Sequence, residues 1–413
     1  RLPSEKRVTI AASEHPGKGV VYYSLTIELH TGEFKYTNSY DKKTPEQDYF
    51  TGDIVITTID QILSNIVSHT KADRLLNYLN VHVVFDEYHE YINMPAFNLL
   101  FAELVASRRG LAQGCNALLV SATPHYAYIN QLLNISADDD VIEMPSFNTC
   151  QYQFDFQTYD ETQQDESNPL YQLQNKSTFI ISNTAITAQK SFIKNQQNEN
   201  GILLHSKFKK SDKKQLFNQV FEAFQRDGTR QFDLLRSGPI VQASLNISCD
   251  YMVSEITTAE NCLQRLGRLD RFGINSAEIN KYTIAIPESL HKGKGIGSLA
   301  RFLSKTNNLA STKAWYEFLR QSTSDGSRVL TLYEIYKLYK EFYQNSSENN
   351  VRKFIDSDLL AAMKKSASVI TSKIVEPQII VKRKATNKQR SKIGKNSLRG
   401  DSRFVQMAVC DIE

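Results

Sequence analysis

The sequence predicts an α/β protein with parallel sheets, followed by a mainly helical C-terminal region. Two observations indicate this class. Short, almost continuous apolar runs at 81–85 and 117–120 are typical of strands buried on both faces of a parallel sheet. Residues 94–109 carry apolar side chains at helical spacing, which indicates a helix covering such a sheet.

The composition narrows the number of domains, the class of partner and the cellular compartment. The 413 residues are enough for two or three domains, and 41% hydrophobic with 23% charged residues is ordinary for a globular protein. The net charge of +4 is too small to imply a polyanionic partner by itself. The five cysteines are scattered without C-x-x-C spacing, which argues against a zinc site or a disulfide framework and favours the reducing cytosol. No apolar run reaches the roughly 18 residues of a membrane span and no signal peptide is visible, so we expect a cytoplasmic protein without membrane contact.

The chain divides into four predicted regions. Residues 1–148 form a first α/β domain, and residues 177–290 form a second one. Between them, 149–176 are rich in polar residues and are interpreted as a linker. Residues 291–413 form a helical linker and C-terminal domain, helical to about 374. Residues 373–403 hold ten Lys or Arg against two acids, and 404–409 are predicted as a strand.

The first chemical feature is a pair of adjacent carboxylates, Asp86 and Glu87, followed by His89. They end the apolar run at 81–85, and in open α/β sheets ligands bind outside the carboxyl ends of the strands. Adjacent carboxylates repel unless a cation lies between them. Asp86 could hold Mg²⁺ through water, and Glu87 could orient or deprotonate an attacking water. The alternative is a solvated acidic turn.

Two further strings follow in order. Ser121 and Thr123 end the apolar run at 117–120, and Gln264 opens a string with three arginines, Arg265, Arg268 and Arg271. The arginines lie three residues apart, which predicts one shared helix face. Guanidinium groups stabilise the charge that develops during phosphoryl transfer better than lysine does. The alternative is a basic helix face that meets solvent.

The order D-E-x-H, S-A-T, Q-R-x-G-R-x-x-R resembles that of the superfamily 2 helicases. The resemblance implies two RecA-like parallel-sheet domains with a helical C-terminal accessory domain, and ATP with Mg²⁺ as cofactors. It implies that Gln264 couples to His89, and that Arg268 and Arg271 reach ATP held by the first domain. The implied catalytic residues are Glu87, Asp86, His89, Gln264, Arg268 and Arg271, with Asp86 as metal ligand; the implied cofactor-binding residues are Arg265, Ser121 and Thr123.

A narrower resemblance rests on shorter segments. The segments 203–208 (Leu-Leu-His-Ser-Lys-Phe), 58–61 (Thr-Ile-Asp-Gln) and 243–247 (Ala-Ser-Leu-Asn-Ile) resemble the CRISPR-associated helicase of type I systems, although Asn246 stands where that family has Asp. Small hydroxyl residues at a helix start suit a phosphate backbone, and they equally suit a simple helix cap. The implied nucleic-acid-binding residues are Thr57, Thr58, His205, Ser206 and Ser244.

The family implies ATP-driven translocation on single-stranded DNA at a target R-loop. It also implies recruitment by an RNA-guided, Cascade-type surveillance complex and DNA degradation by a histidine-aspartate nuclease. No His-Asp dipeptide occurs, so we expect the nuclease upstream or on another chain. The nearest phosphate-loop candidate, around Lys18, lacks the first glycine and the final hydroxyl residue of G-x-x-x-x-G-K-[ST].

We therefore expect a phosphate loop upstream, and little ATP hydrolysis by this polypeptide alone. Two alternatives stay open. One is another superfamily 2 DNA or RNA translocase, because the motor motifs are common to both polymers. The other is a non-hydrolysing subunit that keeps the fold and binds nucleic acid.

Overall fold

The computed structural model describes residues 9–12, 21–24, 26–31, 35–37, 50, 52–68, 72–92, 94, 96–111, 114–136, 140–173, 177–242, 245–275, 277–290, 297–344 and 351–373. These residues divide into two units. The first unit runs to Val120 and takes up the chain again at Met363, and the second unit is Ser121–Ala362. The predicted boundary of the first domain, at 148, therefore lies inside the second unit.

The first unit contains short sheets and three helices. Its strands are β1 (Thr9–Ala12), β2 (Val21–Ser24), β3 (Ile27–His30), β4 (Lys35–Thr37), β5 (Ile54–Thr57), β6 (Val83–Asp86) and β7 (Ala117–Val120). Its helices are α1 (Ile59–Ser68), α2 (Ala72–Leu79) and α3 (Phe97–Leu111). Strand β5 runs parallel to β3, and β6 runs parallel to β7; the pairs β1–β2 and β3–β4 are antiparallel.

Helix α3 supports strand β6. The buried ring of Phe101 meets Phe85 of β6 edge to face, with centroids 4.9 Å apart. Near the end of α3 the buried Arg108 donates hydrogen bonds to three carbonyl oxygens, those of Tyr78, Val81 (2.7 Å) and Asn116 (3.2 Å). These contacts hold the start of β6 beside the start of β7. Because the strands are parallel, their carboxyl ends are then also side by side.

The second unit is built on a seven-stranded sheet. Its strands are β8 (Gln151–Tyr159), β9 (Thr178–Ile181), β10 (Gly201–Leu204), β11 (Leu234–Ser237), β12 (Tyr251–Glu255), β13 (Asn280–Pro287) and β14 (Val329–Thr331). The order is β10-β11-β9-β12-β13-β8-β14, and every neighbouring pair is parallel except β8–β14. The helices are α4 (Tyr126–Gln131), α5 (Ala185–Asn195), α6 (Lys210–Phe224), α7 (Ala259–Leu266), α8 (Ser298–Lys305), α9 (Leu309–Ser322) and α10 (Leu332–Gln344), while α11 (Val351–Lys373) begins here.

The central strands of this sheet are buried on both faces. All four residues of β9 and all four of β11 are buried. Thr184 begins α5 and Thr258 begins α7, each accepting a hydrogen bond from a backbone N–H of the first turn. The predicted α/β class with parallel sheets is confirmed.

The linker prediction for 149–176 is wrong over β8. This nine-residue strand lies between β13 and β14, with Tyr152 and Phe154 buried and the less buried Gln153 and Asp155 alternating with them. The polar composition concealed an alternation with a period of two, which is the pattern of a strand.

The C-terminal region is mainly helical, as predicted, over the described residues 297–344 and 351–373. It is not separate from the second sheet, because β14 pairs with β8 and residues up to Ala362 belong to the second unit. The basic stretch beyond 373, the predicted strand at 404–409 and Lys18 lie outside the described residues. No helix in the described part of the chain is long and apolar enough to cross a membrane.

Candidate functional site

The carboxylate pair lies where β6 ends. Asp86 is the last residue of this strand, and the side chains of Asp86 and Glu87 are exposed. His89 is buried, with Nδ1 3.3 Å from Oε2 of Glu87 and Nε2 3.7 Å from Oε1 of Glu90. The sequence prediction of acidic side chains at a strand end is therefore correct in geometry. The predicted burial of this strand on both faces is wrong, because Val84 is 63% exposed.

Glu87 adopts an uncommon backbone conformation for a residue with a side chain. Its φ of 49° and ψ of 41° lie in the left-handed region, and a 3₁₀ turn over Tyr88–Tyr91 follows directly. The rings of Tyr88 and Tyr91 pack against Phe101 of α3 at centroid distances of 6.3 and 5.1 Å. These aromatic contacts hold the turn in place, so Glu87 is kept in a strained conformation of the kind that clusters at functional sites.

The strand pairing places the second predicted motif at the same edge. Asp86 pairs with Val120, the last residue of β7, and Ser121 is the next residue in the chain. The Ser121 hydroxyl accepts a hydrogen bond from the backbone N–H of Thr123 at 3.0 Å. The polar residues that follow β6 and β7 thus begin at the same end of two parallel strands.

Thr123 contacts the arginine-bearing helix. Its side chain is fully buried, and its hydroxyl lies 3.3 Å from Nε2 of Gln264, which acts as donor. We therefore revise Thr123 from a predicted cofactor contact to a connection between the Ser-Ala-Thr segment and α7.

Arg265 is a structural residue of the second unit. It is 1% exposed, and its guanidinium donates to Asn183 Oδ1 (2.7 Å), Ser254 Oγ (2.9 Å), the Glu255 carbonyl (2.9 Å) and Gln242 Oε1 (3.1 Å). Burial lowers the pKa of Arg265, although neighbouring groups oppose this. The prediction that it binds the cofactor does not fit this burial, and we revise its role to support of the sheet's carboxyl edge.

The three arginines do not share one helix face. Helix α7 ends at Leu266, with Gly267 as its C-cap, so Arg268 and Arg271 lie in the loop beyond. Leu269 forms a parallel bridge to Cys249, and Asp270 takes a left-handed conformation with φ of 44°. The prediction of one shared helix face is wrong because α7 ends at Leu266, two residues before Arg268.

Arg268 and Arg271 differ in exposure. Arg268 is buried and donates to the carbonyl oxygens of Val241 (3.2 Å) and Gln242 (3.0 Å). Arg271 is half-buried and donates to Asn246 Oδ1 at 2.6 Å and to the Gly267 carbonyl at 3.2 Å. Asn246 thus has a role that the sequence did not reveal, since its amide oxygen orients an arginine.

His205 lies beneath a loop rather than on its surface. Its side chain is buried and stacks on Phe208, with centroids 4.0 Å apart and planes 5° from parallel. Nδ1 accepts from the backbone N–H of Lys207 at 3.1 Å, and Nε2 lies 2.9 Å from the side-chain amide of Gln189. Burial lowers the pKa of His205, which favours the neutral ring. Ser206 and Lys207 are the exposed side chains here.

Thr57 and Thr58 lie at the predicted strand-to-helix junction. Thr57 ends β5 and Thr58 precedes α1, both half-buried, and the backbone N–H of Thr58 bonds to the carbonyl of His30 at 3.3 Å. Ser244 lies outside the described residues.

Oxygen ligands at the end of β6 suit Mg²⁺, which is commonly held by one or two carboxylates, substrate phosphates and water. Among the described residues, no group of three or more His, Cys, Asp or Glu could hold a metal ion by itself. Asp86 therefore fits the ion only as one ligand among water and phosphate oxygens.

Known proteins match both the sequence and the fold. Residues 174–273 match the family "CRISPR-associated nuclease/helicase Cas3, C-terminal". A protein named CRISPR-associated nuclease/helicase Cas3 from Methanocaldococcus jannaschii is 26% identical over 240 residues, which are 55% of this chain and 32% of the relative. Over the matched residues the chain is therefore similar to Cas3 proteins.

Solved structures show a similar fold. T. fusca Cas3 with AMPPNP superposes with a TM-score of 0.61 at 19% identity, over 79% of this chain and 42% of that structure. A chain of a CRISPR RNA-guided surveillance complex, pre-nicking, matches with a TM-score of 0.59 at 20% identity, over 77% and 44% respectively. These matches confirm the predicted RecA-like α/β fold. The chain spans less than half of each of these relatives.

Sequence reasoning missed the residues that hold the arginines in place. Gln242, Asn183 and Ser254 surround Arg265, although they lie between 11 and 82 residues away in sequence. No local spacing connects them. In the fold, Asn183 and Gln242 follow β9 and β11, while Ser254 lies within β12, so the pairing of these three strands brings the residues together.

Proposed function

We propose that this chain is the motor portion of an ATP-dependent single-stranded-DNA translocase in a type I CRISPR interference system. The observation that carries the proposal is the Cas3-family match over residues 174–273, together with an acidic strand end in the first unit and an arginine loop in the second. Superfamily 2 motors use these groups in ATP hydrolysis.

In this proposal the first unit supplies acid–base chemistry. Mg²⁺, when bound, neutralises charge on the phosphate oxygens, and Asp86 is its protein ligand. Glu87 accepts a proton from the attacking water, and its strained backbone fixes the direction of the carboxylate. His89, 3.3 Å from Glu87, holds this carboxylate in position.

The second unit supplies positive charge. Arg271 is the better exposed of the two loop arginines, and Asn246 fixes its guanidinium from one side. Arg268 donates to two carbonyl oxygens, so it reaches a phosphate only after these bonds are exchanged. Arg271 is therefore the stronger candidate for stabilising the γ-phosphate charge. Gln264 connects α7 to the Ser-Ala-Thr segment through its hydrogen bond to Thr123.

DNA contact is assigned to strand ends in both units. Ser206 and Lys207 present exposed groups after β10, held by His205 from beneath. Thr57 and Thr58 present hydroxyl groups and a helix start after β5, which suit a phosphate backbone. We place His205 as a positioning residue and keep the contact for its exposed neighbours.

The proposed partners are a Cascade-type surveillance complex and a histidine-aspartate nuclease domain or subunit. One matching structure is a CRISPR RNA-guided surveillance complex, and the family that matches residues 174–273 is one of nuclease/helicases. ATP is the proposed cofactor, supported by the AMPPNP-bound structure of T. fusca Cas3.

A strand-displacement assay on the full-length protein tests the proposal. A duplex with a single-stranded DNA overhang should be unwound with ATP and Mg²⁺, and the same duplex with an RNA overhang should be a poorer substrate. Equal activity on RNA would favour the alternative of a general superfamily 2 translocase. DNA binding without ATP turnover would favour the non-hydrolysing subunit.

A further inference from the structure

Helix α10 links the Ser-Ala-Thr segment to the arginine-bearing helix. Glu260 lies in the first turn of α7 and is 8% exposed. The hydroxyl of Tyr343 on α10 donates a hydrogen bond to Oε1 of Glu260. The hydroxyl of Tyr339, also on α10, lies 3.4 Å from the same oxygen. Both tyrosines are buried, so these bonds form away from solvent.

Tyr339 also reaches the segment that follows Thr123. Its hydroxyl donates to the carbonyl oxygen of Pro124 at 2.8 Å. The ring of His125 lies 5.0 Å from the ring of Tyr343, and the ring of Tyr126 lies within 6.1 Å of both tyrosine rings. One helix therefore holds the residues directly after the Ser-Ala-Thr motif.

A second connection runs directly between the same two elements. Gln264 Nε2 donates to the Thr123 hydroxyl at 3.3 Å. Glu260 and Gln264 lie four residues apart on α7, so they project from one face of that helix. This face therefore holds the segment 123–125 at two points, directly through Gln264 and indirectly through Glu260 and the tyrosines.

The buried Glu260 carboxylate is stabilised by its surroundings. A buried carboxylate is costly unless it accepts hydrogen bonds, and Tyr343 provides one. The first turn of a helix also favours a negative charge. The orientation of the first turn of α7 therefore depends on the positions of the Tyr339 and Tyr343 hydroxyl groups.

We propose that Tyr339, Tyr343 and Glu260 act as positioning residues that hold the Ser-Ala-Thr segment and α7 as one body during ATP turnover. The proposal rests on the proposed function, because it concerns residues that act during ATP turnover. Loss of the two hydroxyl groups leaves the rings in place and removes the indirect connection, so that only the Gln264–Thr123 hydrogen bond still joins the segment to α7.

Two measurements on the full-length protein test this. The double variant Tyr339→Phe/Tyr343→Phe should lower kcat of DNA-stimulated ATP hydrolysis about tenfold, ~1.4 kcal/mol of barrier height, with KM for ATP changed less than about twofold. Amide hydrogen exchange in peptides covering 123–128 should become faster. Tyr333→Phe, on the same helix but 70% exposed, is the matched control and should change neither quantity.

A conservative exchange sharpens the test. Glu260→Gln keeps an oxygen that accepts from Tyr343 and should retain more of kcat than Glu260→Leu does. In the double variant, faster amide hydrogen exchange with unchanged kcat would mean that the tyrosines only pack against the segment, and this would overturn the proposal. Unchanged hydrogen exchange in the double variant would overturn it as well. Absence of DNA-stimulated turnover in the unsubstituted protein would instead contradict the proposed function, and the exchange measurement would still decide whether the tyrosines hold the segment.

Discussion

Glu87 combines exposure, a left-handed backbone and a buried histidine partner. We expect Glu87→Gln to reduce ATP hydrolysis by the full-length protein roughly 10²-fold or more, the usual contribution of a general base. Nucleotide binding should persist, because the amide has nearly the same shape. Stopped-flow hydrolysis and titration with a fluorescent ATP analogue separate these effects. Glu103→Gln, on the exposed face of α3, is the control, and equal losses in both variants would refute the assignment.

Arg265 and Arg271 should respond differently to substitution. Arg265→Met leaves several buried acceptors without a donor, so we expect a loss of roughly 2–4 kcal/mol in the stability of the second unit and a lower Tm. Arg271→Met removes a half-exposed group and should change Tm little while lowering ATP turnover. Thermal unfolding beside the hydrolysis assay checks both, and a reversed pattern would contradict the revised roles.

At the residue scale, the sequence identified Asp86 and Glu87 correctly as strand-end carboxylates. It could not distinguish Arg265 from Arg271, because burial depends on residues distant in sequence. The Asn183 amide that accepts from Arg265 lies 82 residues away. The spacing of three residues between the arginines predicted one helix face wrongly, because the helix ends before Gly267.

At the scale of single elements, α4 carries a pH-sensitive cap. Nδ1 of His125 accepts from the Tyr128 N–H at 3.2 Å. Burial lowers the pKa of His125 below its ordinary 6.5, while the charges of Glu260 and Asp356 oppose this. The unfolded chain therefore binds a proton first as pH falls, so this contribution is complete above about 6.5 and is lost below it.

We expect His125→Asn to flatten the fall of Tm between about pH 7 and 5, since the asparagine oxygen can replace the Nδ1 acceptor without titrating. His82→Asn is the control, because His82 is exposed and directly precedes β6. Parallel Tm curves for His125→Asn and the unsubstituted protein would show that this ring does not set the slope.

The start of α6 carries a group of exposed lysines close to the end of β10. Exposed lysines follow β10 at Lys207, Lys209 and Lys210. Replacing Lys207 and Lys209 by Gln should weaken single-stranded DNA binding and reduce the magnitude of the log K against log salt slope by about 1.4, at ~0.7 per phosphate contact. The pair Lys190→Gln/Lys194→Gln on α5 carries the same charge change and should leave the slope unchanged. Equal slopes for the two double variants would remove DNA contact from this loop.

Element prediction failed where composition and pattern disagreed. Strand β8 has the polar content of a linker, yet Tyr152 and Phe154 alternate into the core. The apolar strands β9 and β11 were easier to predict because their whole length is buried. The C-terminal helices were predicted correctly, but their union with the second sheet depends on β14, a strand of three residues.

At the scale of the whole molecule, each unit carries one part of the proposed motor. The first unit holds the carboxylates at the end of β6, and the second holds the arginine loop after α7. The chain spans less than half of the relatives it matches, so the complete proposed activity is tested on the full-length protein.

The most direct measurement is the steady-state ATPase rate of the full-length protein with Mg²⁺, with and without single-stranded DNA. The account predicts that DNA raises the rate at least about tenfold and that Arg271→Met removes this stimulation. A rate that does not respond to DNA, or a stimulation that survives Arg271→Met, would contradict it.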